Sequence, residues 1–172
     1  MESIPNQFSK KRNDLDSIPE RDYMGTSTSK PTRVDCSKVS IQESTFSTPT
    51  NKMDGAFANV DIMKGELVEK GIVRRIGDRD NRAIDGMKCP YVFTWSDEVP
   101  NHTWALGSGC STFYNSALDK DANTTLTRFY DEDRFEIYAT RDIKMGEELT
   151  HTYKSLEWRD VFESLRKSNP QC

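Results

Sequence analysis

The sequence predicts a mainly β domain of several short strands with a C-terminal helix, preceded by a disordered N-terminal tail. Three observations carry that prediction. Apolar residues alternate over short stretches bounded by turn-forming residues. Helical spacing emerges late, at Trp158, Val161, Phe162 and Leu165. A third observation is a repeated grammar, Ala-x-x-Asp-Ile-x-x-Gly-Glu, at residues 58–66 and again at 139–147. In each copy a strand ends at Ala and Asp offers a side-chain oxygen to amides just downstream. Ile then packs inward, and Gly suits a turn of positive φ before a second strand. Two such corners predict two strand–turn–strand units that build one core together. With no helix after each strand, a Rossmann domain fits poorly.

Residues 1–37 carry scattered hydrophobes, among them Ile4, Phe8, Leu15, Ile18, Tyr23 and Val34, in neither helical nor strand period. Such a segment buries too little apolar area to offset its chain entropy, so it is expected to be disordered or loosely attached. The run Lys10-Lys11-Arg12 is a solvated patch or a targeting or docking element. The domain is expected over residues 38–168. It opens with a strand at 39–44, a polar loop containing Pro49, and a small-residue strand at 55–58. A strand at 66–73 follows, with Leu67 inward and a bulge or bend at Gly71. Residues 74–90 read as a charged surface loop or insert, and 91–95 as a short aromatic strand or helical turn. Gly107 and Gly109 mark a close backbone approach or an unusual turn. Residues 123–130 and 134–139 flank Asp131-Glu132-Asp133 as a hairpin, with Phe135, Ile137 and Ala139 on one face. Ser155 is the expected N-cap of the closing helix, which stops before Asn169-Pro170.

Apolar content is low, at 34 % of 172 residues, and the net charge is −4. That balance argues against direct nucleic-acid binding and is compatible with a basic peptide partner. Cys36, Cys89, Cys110 and Cys172 have no CxxC pairing and no histidine at zinc-ligand spacing. They read as free, mostly buried thiols of a reducing compartment, nuclear or cytoplasmic, with no metal expected. No apolar run reaches membrane length and no signal-peptide core is present, so a soluble protein with no membrane partner is expected. The oligomeric state is left open. His102 and His151 belong to no nucleophilic triad. His151 shares a strand face with Tyr153 and is expected as an exposed strand residue, with the rim of a channel as the alternative.

Three segments, in order, resemble the SET domain of protein lysine methyltransferases, which use S-adenosyl-L-methionine. Gly55-Ala56-Phe57-Ala58 with Asp61-Ile62-x-x-Gly65-Glu66 resembles the family's N-terminal block, although one glycine of that block is replaced or shifted. Phe113-Tyr114-Asn115-Ser116 resembles its F-x-N-H-S block, with Ser116 where the family has His. Ile143-x-x-Gly146-Glu147-Glu148-Leu149-Thr150-x-x-Tyr153 resembles its GEELT-x-x-Y block. The likeness covers about residues 38–160 and is nearest to the minimal domain without zinc-binding flanks. A longer stretch without the family's Cys and Pro precedes the closing Asn123, which puts cofactor affinity in doubt.

The resemblance implies a SET-like fold of curled sheets and methyl transfer to the side-chain amine of a lysine in a protein or peptide, a histone tail being one candidate. It implies Tyr153 beside the transferring methyl, with Tyr91 as a second channel wall. Cofactor contacts then fall to Gly55, Ala56 and Phe57 through backbone groups, to Tyr114, Asn115 and Ser116, and to Trp158 over the adenine or, alternatively, in the core. Phe93 is expected in the core. Tyrosines suit such chemistry, because their rings attract an ammonium and their hydroxyls orient an amine without carrying charge at neutral pH. Two alternatives stay open: a catalytically weak or inactive SET-like domain serving as a protein-binding module, and an unrelated small β-rich interaction domain.

Overall fold

The computed structural model describes residues 31–77, 84–96, 103–118 and 120–168. His102, Cys172 and the basic run at 10–12 lie outside the described residues, as does most of the 1–37 segment. The part of that segment within them packs on the domain: Asp35 and Lys70 exchange backbone hydrogen bonds of 2.9 and 3.0 Å, and Cys36 lies against the core.

The strands are β1 (Val39–Glu43), β2 (Asp54–Ala58), β3 (Leu67–Arg75), β4 (Phe93–Thr94), β5 (Trp104–Gly107), β6 (Asn115–Ser116), β7 (Thr124–Phe129), β8 (Arg134–Ala139) and β9 (Glu148–His151). Among the described residues they form two sheets, ordered β1-β2-β9-β6 and β4-β5-β3-β8-β7. All pairings are antiparallel except β6 with β9, where Asn115 faces Thr150 and Ser116 faces His151. This is the mainly β, curled-sheet fold expected. The hairpin of β7 and β8 forms with the expected inward face, since Phe135, Ile137 and Ala139 are buried. Ile137, Leu149, Ala56 and Tyr114 lie in one core shared by both sheets.

The two corners meet back to back. Ile62 and Ile143 donate to each other's carbonyls at 2.9 Å, Gly65 donates to Ala139 O and Gly146 to Ala58 O, both at 2.8 Å. Both isoleucines are 1 % exposed. Each such burial contributes about 1.5–3 kcal/mol. Gly65 and Gly146 have φ of +82° and +89°, as the turn requires. One detail of the sequence reading is corrected. The Asp oxygens do not cap their own turns: Asp61 Oδ1 accepts from Met145 N at 2.9 Å, and Asp142 Oδ1 from Lys64 N at 2.8 Å. The Ile62–Ile143 bridge sets each Asp against the opposite turn. The local cap is the closing glutamate instead, Glu66 on Met63 N and Glu147 on Lys144 N.

Three further expectations are revised. The bulge of β3 falls between Leu67 and Glu69, whereas Gly71 pairs regularly with Phe135. It turns both Val68 and Glu69 inward, and leaves Leu67 half-buried. Residues 74–90 are more than a surface loop. Arg74 and Arg75 continue β3 against β5, and Ile84, Met87 and Cys89 pack on a second small core of Ile76, Val92 and Trp104. The closing helix α1 is short, Glu163–Ser168, after a tight turn at Asp160–Phe162. Arg159 is extended, with φ −83° and ψ 134°, because its buried guanidinium donates to the carbonyls of Gly86, Val92 and Cys89. Leu165, counted on the apolar face, is exposed. No helix among the described residues is long and apolar enough to cross a membrane.

Candidate functional site

Beyond the second corner, β9 delivers His151 and then Tyr153 to the wall of a cleft of about 920 Å³. The β6 segment runs beside it and holds Tyr153 twice. The Tyr153 hydroxyl donates to Tyr114 O at 2.6 Å, and its backbone N–H donates to Ser116 Oγ at 3.3 Å. The Tyr153 ring packs against Phe162 at 5.2 Å and against His151 at 5.3 Å. Burial pushes the phenol up to about 12, with the Arg159 charge opposing, so it is neutral at physiological pH.

Tyr114 is 1 % exposed, and its own hydroxyl donates to Glu69 Oε2 at 3.0 Å. Burial, and then the Glu69 charge, raise that phenol's pKa. Glu69 sits under the cleft floor where the β3 bulge placed it, and Cys110 N donates to its Oε1 at 2.8 Å. Burial lifts this carboxyl to about 7 against the pull of those hydrogen bonds. A chain of contacts therefore runs from Glu69 through Tyr114 to the Tyr153 hydroxyl. A carboxylate inside the run Leu67-Val-Glu-Lys-Gly-Ile-Val was the available signal for Glu69, and sequence reading passed over it.

His151 departs from expectation. It is 7 % exposed, its ring stacks on Tyr114 at 5.7 Å, and its Nδ1 is buried without a hydrogen-bond partner. Burial, aided by the Arg128 charge, lowers its pKa to about 4. Tyr91 also lines the cleft, with its side chain 67 % exposed at the rim, and Phe93 reaches it from the core cluster.

Asn115 and Gly55 come together at a different place. Asn115 Nδ2 donates to Ser44 Oγ at 3.0 Å, Asp54 O at 3.1 Å and Glu148 Oε1 at 2.9 Å. Glu148 also accepts from Ser44 Oγ and Thr45 N, both at 2.7 Å, and from Thr45 Oγ1. Burial would raise its pKa, but the hydrogen bonds from Thr45, Asn115 and Ser44 outweigh it and hold the carboxylate below its usual range. A Cβ at Gly55 would lie 2.3 Å from Glu148 Oε1, so the space beside Gly55 is taken by this knot. Ala56 and Phe57 are buried in β2, between β1 and β9. Ser116 borders a smaller cleft of about 330 Å³ with Asn123, Arg141 and Glu148, and Leu118 lines both clefts. Asn123 pins β9, donating to Glu148 O and accepting from Thr150 N, both at 2.8 Å. Trp158 lies by Trp104 at 6.4 Å and lines neither cleft.

A family model covers the span that holds both corners, β6 and β9. That model, described as the SET domain, matches residues 54–154. The chain belongs to the SET-domain family. Solved structures place the SET fold in wider company. One, an active polycomb repressive complex 2 in the basal state, shares 28 % identity at a TM-score of 0.54, covering 67 % of this chain and 15 % of that one. A second, ctPRC2 in an autoinhibited conformation bound to S-adenosylmethionine, shares 25 % at 0.51, covering 77 % and 17 %. The Chaetomium thermophilum polycomb repressive complex 2 shares 28 % at 0.50, covering 67 % and 15 %. This SET-domain chain thus spans about a sixth of those neighbours' length. Among curated proteins, none is significantly similar in sequence.

Proposed function

We propose that this SET domain transfers a methyl group from S-adenosylmethionine to the side-chain amine of a lysine in a protein or peptide, a histone tail being one candidate. The observation that carries the reading is the Tyr153 hydroxyl, neutral and tethered to Tyr114 O, on the wall of an aromatic cleft. The donor set fits such a cofactor: the two clefts offer aromatic faces for a purine, hydroxyls and carboxylates for an ammonium, and Arg128, Lys154 and Arg141 for a carboxylate. When bound, it supplies a methyl activated on a sulfonium. Of the residues assigned to hold it, Tyr114 lines the larger cleft and Ser116 the smaller, whereas Gly55, Ala56, Phe57, Asn115 and Trp158 line neither; Tyr153 and Tyr91 line the amine's path.

The chain's own contribution is positional. A free lysine titrates near ~10.4, and a buried aromatic channel favours its uncharged, nucleophilic form. Tyr153 orients that nitrogen, and alignment supplies much of the rate. Tyr153→Phe is expected to lower turnover by about 10²-fold, because the phenol oxygen that accepts the amine N–H is lost, with cofactor affinity almost unchanged. Transfer of labelled methyl from S-adenosylmethionine to an extract of lysine-bearing proteins tests the reading directly. Equal transfer by Tyr153→Phe would remove Tyr153 from its role.

One observation favours a second reading, a binding module without catalysis. Asn115 and Gly55 are engaged by Glu148, Ser44 and Asp54. A native-state ligand raises the melting temperature by mass action. No thermal shift with S-adenosylmethionine, together with a captured basic peptide, would select this reading over the first.

A further inference from the structure

The larger cleft carries a charge opposite to that of the chain around it. The sequence as a whole is acidic, at −4. The charged residues lining the cleft are Lys120, Arg128, Lys154 and Arg159 against one acid, Glu157. Arg159 is turned inward on the carbonyls of Gly86, Val92 and Cys89, which leaves Lys120, Arg128 and Lys154 to meet a ligand. They come from two stretches of chain: Lys120 precedes β7, Arg128 lies in it, and Lys154 follows Tyr153. Lys120 and Lys154 are exposed, and among the described residues neither is drawn off into an ion pair. A bound cofactor does not use up this charge. With one carboxylate against an ammonium and a sulfonium, S-adenosylmethionine is itself a net cation. Its carboxylate occupies one of the three, and the others face the acceptor. Like charges in a cleft repel a ligand and opposite charges steer it in, so a basic peptide is disfavoured here. The same cations favour the uncharged form of an entering amine.

We infer that the cleft selects a lysine flanked by aspartate and glutamate in a protein or peptide, with Lys120, Arg128 and Lys154 reading the acidic flanks. Treating that lysine as a methyl acceptor rests on the methyl-transfer reading, whose histone-tail candidate it displaces; the charge preference does not. A nucleic acid supplies anions too, but three cations in an acidic chain are too few to offset a polyanion's repulsion.

The test is calorimetric binding of short peptides to the full chain, each with one central lysine and with Asp/Glu, Ser/Gln or Arg flanks, beside a single-stranded oligonucleotide of the same length. Asp/Glu flanks are expected to bind about tenfold tighter than Ser/Gln flanks, and Arg flanks to bind weakest. The preference should shrink as salt rises, because exposed charges are screened. Lys120→Glu and Lys154→Glu are each expected to weaken the acidic peptide by about fivefold. Lys52→Glu, exposed and lining neither cleft, is expected to leave it unchanged. Tighter binding of the Arg-flanked peptide or of the oligonucleotide would overturn the inference. So would acidic-peptide binding that survives both reversals, since the run Lys10-Lys11-Arg12 would then be its holder. Should a reversal unfold the chain, Lys120→Gln and Lys154→Gln repeat the comparison with a smaller change of charge. A melting-temperature scan and labelled-methyl transfer with S-adenosylmethionine run in parallel. Acidic preference with neither a thermal shift nor transfer would sink the methyl-transfer reading and keep this one; transfer that favours the Arg-flanked peptide would do the reverse.

Discussion

The corners at residues 58–66 and 139–147 share a sequence grammar, a turn geometry and a reciprocal set of hydrogen bonds, yet they feed opposite fates. The first leads into β3, whose bulge drives Glu69 under the cleft floor. The second leads into β9, whose end brings His151 and Tyr153 to the cleft wall. Equal corners with unequal sequels teach that the repeat is a scaffold. It holds the two sheets in register, and the residues just beyond each copy carry the chemistry. Tyr114 links the two sequels, since its hydroxyl reaches Glu69 and its carbonyl holds Tyr153.

If the corners are equivalent supports, truncating either isoleucine should cost the same. Ile62→Ala and Ile143→Ala are each expected to destabilise by about 2–5 kcal/mol, read as a lowered denaturation midpoint. A cost at one site several times that at the other would break the equivalence. The sequels should differ in their response to pH. Burial lifts the Glu69 carboxyl from its ordinary 4.5 to about 7 in the folded state, so its stabilising contribution is fully present below that lower value. It is lost as pH rises through about 7, by on the order of 2–3 kcal/mol. Glu69→Gln should flatten stability across this window; an unchanged slope would show that the carboxyl does not titrate there.

Smaller effects sharpen the scaffold further. Gly65→Ala and Gly146→Ala meet no nearby atom but force a left-handed residue, at about 1 kcal/mol each. Midpoints that differ between the two would place strain in one turn only. The smallest effect is in acid. Glu66 is held below its usual range by its hydrogen bond from Lys38, and Asp61 by that from Lys144. Their folded pKa values are depressed, so their stabilisation is present above the ordinary carboxylate pKa and fades as pH falls below it. A shallow loss below about pH 4 is expected in wild type, less so in Asp61→Asn.

Much of the scaffold was legible beforehand. Alternation located the paired β7 and β8, and the repeated Ala-x-x-Asp-Ile-x-x-Gly-Glu located both corners before any contact was known. The position of Tyr153 beside residues 114–116 was also anticipated, and it places the GEELT-x-x-Y ending next to the middle block. What escaped was the partner of each polar side chain. Asp61 and Asp142 looked like local caps, but their amides belong to the other copy, some eighty residues away. Trp158 and Leu165 were assigned to one helical face, but Arg159 extends the backbone between them to reach carbonyls near residue 86.

Periodicity along the chain thus determined where the β7–β8 hairpin and the two corners lie and which face of β8 points inward, because those depend on neighbours two to four residues apart. Tertiary structure alone decided that Glu69 and His151 are buried and that Asn115 is engaged by Glu148. Burial of a polar group is settled by whichever distant atoms close over it and hydrogen-bond it, and no local spacing encodes their identity.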